Sequence, residues 1–352
     1  MEPAAADVRA DARWHLFDLR PEARKFTLVR LEEATYRSAS FLDQRVTGQA
    51  REGYQYPFSR REAFFPPGAA PEAAPMYLFH VGHCGSTLLS RALAADDAVL
   101  PVREPLTLRA LADARRDAAH PWRMLSAAEW AAWLDAVHAA HARGFREGQR
   151  ALVKATSHCN NLVGPLLERD PRARALLLYV PLETYLAGML KREEPPADLL
   201  GFARARVMDW QALAGAPSFS LDALSRPEQA ALAWMTSMRQ LLAAAEAFPG
   251  RTRLMDFDAF LADPQAHLPA AAAFLGLEGL SAKLVRAYPE LASRYAKDPS
   301  HPYSAQRRAR VLEAVATRDA AAIRQGLAWA EARSAEAPVF EPCLRHLTAT
   351  EG

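Results

Sequence analysis

The residues of this chain best suited to chemistry lie in one short run: Phe79-His80-Val81-Gly82-His83-Cys84-Gly85-Ser86-Thr87-Leu88-Leu89. An apolar strand gives way to a small-residue turn and then to helical spacing, which is the build of an anion cradle. Gly82 and Gly85 let the main chain approach a phosphate with no Cβ in the way. A helix starting near Ser86 leaves its first N–H groups unpaired and turned toward the ligand, and its dipole adds to the attraction. Ser86 and Thr87 supply two hydroxyl donors. The run does not fit G-x-x-x-x-G-K-[ST], the ATP and GTP loop, because the glycines are too close and no Lys precedes Ser86. A tight strand-to-helix turn without any ligand fits it as well. His80, His83 and Cys84 cluster in sequence, as do His158 and Cys159, but neither group has the four spaced ligands of a zinc site. No metal is therefore expected, and Cys159 reads as a small buried residue.

The elements that must position this run alternate. Met76–Val81 reads as a buried strand, and Ala98–Val102, Ala151–Val153, Ala175–Val180 and Arg251–Met255 are further short apolar runs. Helical patterns lie between them. Ser126 and Glu129 have capping-box spacing ahead of Trp130, Trp133, Leu134 and Val137. Pro181 falls where the first helical residue after a strand would be. Pro227–Phe248 reads as a long helix, and helices dominate from Asp258 on. Strands alternating with helices imply an α/β fold with a central parallel sheet covered on both faces. Ligands of such sheets sit at the carboxyl ends of strands, which is where Gly82–Thr87 falls. Residues 1–75, with a strand candidate at Lys25–Leu31 and a turn-rich end at Phe65–Pro75, read as an N-terminal extension, and 76–352 as the main domain.

The run at Gly82–Thr87 resembles the 5′-phosphosulfate loop of the bacterial P-loop sulfotransferases, whose core is a basic residue, a small residue, then Gly-Ser/Thr-Thr. His83 stands at the basic position. A second segment is similar to a late part of the same family: Arg253-Leu254-Met255-Asp256-Phe257-Asp258, then Leu261-Ala262-Asp263-Pro264, then Phe274-Leu275-Gly276-Leu277. Its expected role is structural, with Asp263-Pro264 restarting a helix that Phe274 and Leu275 pack. The resemblance spans roughly Met76 to Tyr303. It implies a three-layer P-loop fold with a helix-rich C-terminal half, and transfer of a sulfuryl group from PAPS (3′-phosphoadenosine 5′-phosphosulfate) or a related activated donor.

The resemblance also implies roles. Gly82, His83, Cys84, Gly85, Ser86 and Thr87 would bind the phosphosulfate. Glu104, in Pro101-Val102-Arg103-Glu104-Pro105 after the second strand, resembles the catalytic Glu of Glu-dependent members. Such a group would take the proton of an acceptor hydroxyl or amine, while positioned donors stabilise charge on the phosphates. The plain alternative for Glu104 is a carboxylate favoured by a helix N-terminus. Lys154, ending the third strand, would face the sulfate with His83, or be a solvated strand-end lysine. Arg91, Arg103 and Arg109 would add positive potential. The family's Arg and Ser for the donor 3′-phosphate are absent, since Val180 and Gly188 stand there. Lys191, a turn further on, is a substitute, and Lys297 lies in a polar loop, Tyr295–Pro299, that either closes over the nucleotide or merely connects helices.

Bulk properties narrow the partners. The 43 Lys and Arg against 41 Asp and Glu exclude a broadly basic nucleic-acid binder but not a local basic pocket. No apolar stretch is long enough to span a membrane. Three unpaired cysteines and a charged N-terminus fit a cytoplasmic protein. The expectation is thus a cytoplasmic sulfotransferase with a small-molecule or peptide acceptor and no nucleic-acid or membrane partner. A small-molecule P-loop kinase and a non-catalytic binding module of the same fold are the rivals.

Overall fold

The computed structural model describes residues 2–68, 71–298 and 300–348; Pro299, in the expected loop before the late helices, lies outside them. Eight strands are found among the described residues. Three of them, β1 (Trp14–Arg20), β2 (Lys25–Arg30) and β3 (Gly53–Pro57), form an antiparallel sheet in the order β1-β2-β3. The other five are β4 (Met76–His80), β5 (Val99–Arg103), β6 (Arg150–Lys154), β7 (Arg174–Tyr179) and β8 (Thr252–Asp256). They form an all-parallel sheet in the order β5-β6-β4-β7-β8.

The apolar runs of the sequence explain this sheet. Every residue of β4 and β5 is buried, as are the four central residues of β7, because helices cover both faces of the sheet. Pro101 has no N–H for a ladder and is tolerated because β5 is an edge strand. Each of the five expected strand runs carries a strand, with no end moved by more than one residue. The expected helices are also present. Ser126 and Glu129 close a reciprocal capping box on Ala127–His141, and Ser225 with Glu228 does the same for the 22-residue helix Arg226–Ala247. Asp263 caps Pro264–Phe274 by accepting the Ala266 N–H at 3.0 Å. Pro181 is the N-cap of Leu182–Leu190, one position before the expected one. After β8 the described chain has no further strand, so its C-terminal part is helical.

The strand order fixes where a ligand belongs. From β4 the chain runs to β5 and β6 on one side and returns to β7 and β8 on the other. The carboxyl end of β4 is therefore a topological switch point, where neighbouring connections diverge and leave a crevice.

The described part of the N-terminal segment is built into the main body. Phe26 of β2 packs edge-on against Trp133, and Phe58 packs on the same ring. The buried Arg103 at the end of β5 donates to the carbonyls of Tyr36, Arg37 and Ala39 at 3.3, 3.1 and 2.8 Å and to Ser90 Oγ at 3.1 Å. It thus caps the short helix Glu33–Ser38 and ties it to the helix after β4, which makes it a structural residue and not a ligand contact.

Candidate active site

The turn after β4 has three residues at positive φ: Gly82 (94°), His83 (49°) and Gly85 (76°). Gly85 is the left-handed N-cap of helix Ser86–Leu93. A Cβ at Gly85 would stand well inside 3.0 Å of three atoms of the Phe257 ring. Gly82 packs on Ser157, whose Oγ would meet a Cβ there at 3.1 Å. Glycine is required at Gly85 for space and for backbone conformation at once.

This turn forms the floor of a cavity of about 700 Å³. Gly82, His83, Gly85, Ser86 and Thr87 line it, while Cys84 does not. The Cys84 side chain is fully buried with its thiol 3.8 Å from the Leu178 carbonyl, and burial pushes that thiol up to about 12. The expectation that Cys84 contacts the donor therefore reduces to its main chain. Thr87 Oγ1 is buried with no partner, as the hydroxyl of an anion cradle would be before its ligand arrives. His80 Nδ1 accepts the Gly82 N–H at 3.0 Å and so braces the turn. Burial, then the charges of Lys154, Lys297 and His83, holds His80 well below its ordinary value, so it is a neutral imidazole.

Glu104 follows β5 directly, at the cavity wall. It is 8% exposed and has φ 54°, a left-handed conformation that costs a residue with a Cβ on the order of 1–2 kcal/mol. Its N–H donates to the Lys154 carbonyl at 2.6 Å, which extends the β5–β6 ladder by one step. Strain held in this way belongs to sites where one side-chain direction matters. Lys154 Nζ donates to Glu104 Oε1, and Arg109 NH2 lies 3.5 Å from Oε2. Lys154 is fully buried and absent from the cavity wall. The expected position facing the transferred group is thus not the one it takes, because register pairs Arg103 with Lys154 and sets the ammonium behind Glu104. Burial pulls Lys154 below its ordinary value, and Glu104 opposes that shift.

His83 is exposed on the turn, and its Nε2 lies 2.8 and 3.1 Å from the two Asp198 oxygens. Burial would raise the Asp198 carboxyl, but His83 and Lys297 hold it below the usual carboxylate range. Asp198 belongs to a short helix, Ala197–Gly201, and the sequence carries no signal that sets it over the loop.

The far wall follows β7. Val180 and Gly188 line the cavity as the sequence places them, and so does Lys191. Burial, then Arg192, Lys297 and Arg308, depresses Lys191, so cations converge here. Lys297 lines the same cavity and joins Tyr295 and Ala296 on the loop before helix Ala305–Arg318. Arg308 is held by Asp258 at 2.6 Å and covers the Phe257 ring. The structure therefore brings Gly82, His83, Gly85, Ser86, Thr87, Glu104, Lys191 and Lys297 to one cavity.

Sequence reasoning missed Phe41 and Arg45, which reach this cavity from the N-terminal segment. Arg91 donates to the Ala296 carbonyl at 2.8 Å, to the Ser38 carbonyl at 3.0 Å and to Ser40 Oγ at 3.1 Å, so it clasps that segment to the late loop. Ser40 Oγ also lies 3.1 Å from the Lys297 carbonyl. Behind the cavity, Arg206 donates to the Ser157 carbonyl and to Ser157 Oγ, both at 3.2 Å. Arg116 binds both oxygens of Asp209 at 2.8 and 2.9 Å. His158 pairs with Asp113 and stacks on Phe202, so it belongs to this support. Among the described residues no group of three His, Cys, Asp or Glu side chains is arranged to hold a metal, and no helix is long and apolar enough to cross a membrane.

No curated protein matches the sequence. Among solved structures, the chain is similar to a sulfotransferase from Alicyclobacillus acidocaldarius at 13% identity and TM-score 0.35, covering 79% of this chain and 94% of that one. The sulfotransferase domain of the Synechococcus PCC 7002 olefin synthase gives 16% identity and TM-score 0.37 over 66% of this chain and 84% of that one. The sulfotransferase domain from the curacin biosynthetic pathway gives 15% and 0.35 over 59% and 75%. The decisive finding is a match of the sulfotransferase family profile to residues 78–281, more than half of the chain, so this protein belongs to the sulfotransferase family.

Proposed function

We propose that this sulfotransferase moves a sulfuryl group from PAPS to an acceptor hydroxyl or amine, with Glu104 as the general base. The observation that carries this reading is the strained Glu104 carboxylate, which shares a cavity with the N–H-rich turn after β4. The turn fits a phosphosulfate: its glycines clear the main chain, Thr87 Oγ1 is buried and unpartnered, and the N-terminus of Ser86–Leu93 opens onto the cavity. Lys191 and Lys297 are the residues that would receive the 3′-phosphate in place of the missing Arg and Ser.

PAPS would supply the activated sulfur, and the protein would supply position and charge. The acceptor oxygen or nitrogen forms a bond to sulfur as the bond from sulfur to the bridging phosphate oxygen breaks. Glu104 takes the acceptor proton, and PAP leaves with the electron pair of the broken bond. Backbone N–H groups of the turn, Ser86 and Thr87 stabilise the charge that builds on the phosphate side. Lys154 and Arg109 aim Glu104, and Asp198 holds the His83 ring at the edge of the turn. A cytoplasmic setting remains part of this proposal, and three buried free cysteines support it.

The test is calorimetric titration with PAP beside ATP–Mg²⁺, followed by turnover of PAPS. PAP binding that weakens in Ser86→Ala, with turnover reduced about 10²–10⁴-fold in Glu104→Gln at little-changed PAP affinity, is the expected result. Binding of ATP–Mg²⁺ alone would move the protein to the kinase class. PAP binding without turnover of any acceptor would leave a binding module.

A further inference from the structure

The cavity has two ends. Lys191 and Gly188 follow β7, whereas Glu104 and Arg109 follow β5, and β6 and β4 lie between those strands in the sheet. The proposed base marks the β5 end as the acceptor side. The charges there do not balance. Lys154 and Arg109 both lean on Glu104, while Arg45 is paired to Asp43 through Nε at 2.8 Å and through NH2. Three cations thus face two carboxylates. Lys297, whose ammonium lies 5.7 Å from the Phe41 ring centroid, adds a further positive charge nearby.

Arg109 is the least satisfied of these groups. Its NH2 reaches Glu104 only at 3.5 Å, the outer edge of a hydrogen bond, and its buried Nε has no partner. A guanidinium at a cavity wall whose one ion pair is this long suits a planar anion that accepts from its terminal N–H groups. Arg45 stacks 3.7 Å over the Phe41 ring and senses Glu104 as well, so its charge also bears on this end. Phe41 and Phe202 at the same cavity give an acceptor an apolar body to rest on.

We infer that the acceptor is a hydroxy compound bearing a carboxylate or an equivalent anion, received by Arg109 with the help of Arg45 at the β5 end of the cavity; this rests on the sulfotransferase reading proposed above. The anion supplies the missing negative charge. A cationic acceptor would instead meet Arg109 and Arg45 at the wall and be disfavoured.

The experiment compares three phenols of similar size: 3-(4-hydroxyphenyl)propionate, 4-ethylphenol and tyramine. PAP titration comes first and decides the donor reading by itself. The full chain with PAPS is then assayed for kcat/KM on each phenol, and the PAP-loaded protein is titrated with each by calorimetry. The expected result is at least a tenfold preference for the propionate over ethylphenol, with tyramine below both. In Arg109→Gln and in Arg45→Gln the propionate-to-ethylphenol ratio should fall toward one through KM, and Arg109→Lys should restore part of it. A preference for ethylphenol or tyramine, equal or no affinity for all three, or a ratio unchanged in both Gln variants overturns the inference even where PAP binds. If Arg109→Gln fails to fold, the Arg45→Gln ratio and the wild-type ranking still decide it.

Discussion

Gly85→Ala is the sharpest test of the site's construction, because two separate costs meet at one atom. The first is conformational. Gly85 sits at φ 76°, and a residue with a Cβ pays about 1–2 kcal/mol to hold a left-handed conformation. The second is steric. The new methyl would overlap three atoms of the Phe257 ring, which is buried, stacks on Phe260 and is covered by Arg308. Overpacking of this kind costs about 1–3 kcal/mol. Together they give about 2–5 kcal/mol. An unfolding entropy of about 2.1 cal/mol/K per residue over 352 residues is about 0.74 kcal/mol/K, so the melting temperature should fall by about 3–7 °C. Calorimetric melting reads that shift, and PAP titration reads the loss of the cradle. Phe257→Leu separates the two costs. In the double variant the steric part should disappear as a coupling of about 1–3 kcal/mol, while the backbone part should persist. A melting point within 1 °C of the parent, or zero coupling with unchanged PAP affinity, would refute this account of the turn.

Other consequences can be measured directly. Lys154→Met leaves the Glu104 carboxylate without its buried partner and should cost about 3–5 kcal/mol in urea unfolding, and adding Glu104→Gln should recover most of that. Stability should fall on acidification before the carboxylates titrate. His15 is buried and held down to about 3, first by burial and then by Arg143, so the unfolded chain takes up the proton first as pH drops below about 6.5. Its stabilising contribution is complete above that pH and is lost between about 6.5 and 3. Some three and a half pKa units make that loss on the order of 5 kcal/mol. Urea midpoints measured from pH 7.5 to 4 should decline, and His15→Phe should flatten the decline; an equal slope in the variant would exclude His15 as a source. Gly188→Ser finds open space at the cavity wall and replaces the hydroxyl that the family carries there. It should tighten PAP binding roughly fivefold, the worth of one hydrogen bond of about 1 kcal/mol, and unchanged affinity would place the 3′-phosphate elsewhere.

The parts legible in the sequence are those that depend on local pattern. The five parallel strands show as short apolar runs because both faces of the sheet are covered, and the capping box at Ser126 shows because a cap is satisfied within four residues. Gly82 and Gly85 were readable since a turn into a helix constrains its own residues. The partners of those residues were not. Lys154 reaches Glu104 through sheet register, and the sequence around Lys154 is the same whether its ammonium faces the cavity or hides behind a carboxylate. Asp198 over His83, and Phe41 with Arg45, come from segments with no motif of their own. Arg109 was visible as a nearby cation, but its unsatisfied Nε appears only once the neighbours are in place. Val180 and Gly188 could be read as departures from the family, yet only the structure brings Lys191 and Lys297 to the same wall.

The clasp between the N-terminal segment and the late loop bears on how the protein is made. Ser40 and the carbonyl of Ala296 are 256 residues apart. At about 5–20 residues per second, synthesis separates the two by roughly 13–50 s. During that interval Phe41 and Arg45 have emerged from the ribosome, but the wall they are to meet does not yet exist. The nascent chain therefore carries an apolar, cationic surface with no cover until the late loop has been made. Any ligand that needs both walls can stabilise the growing chain only once that loop is present.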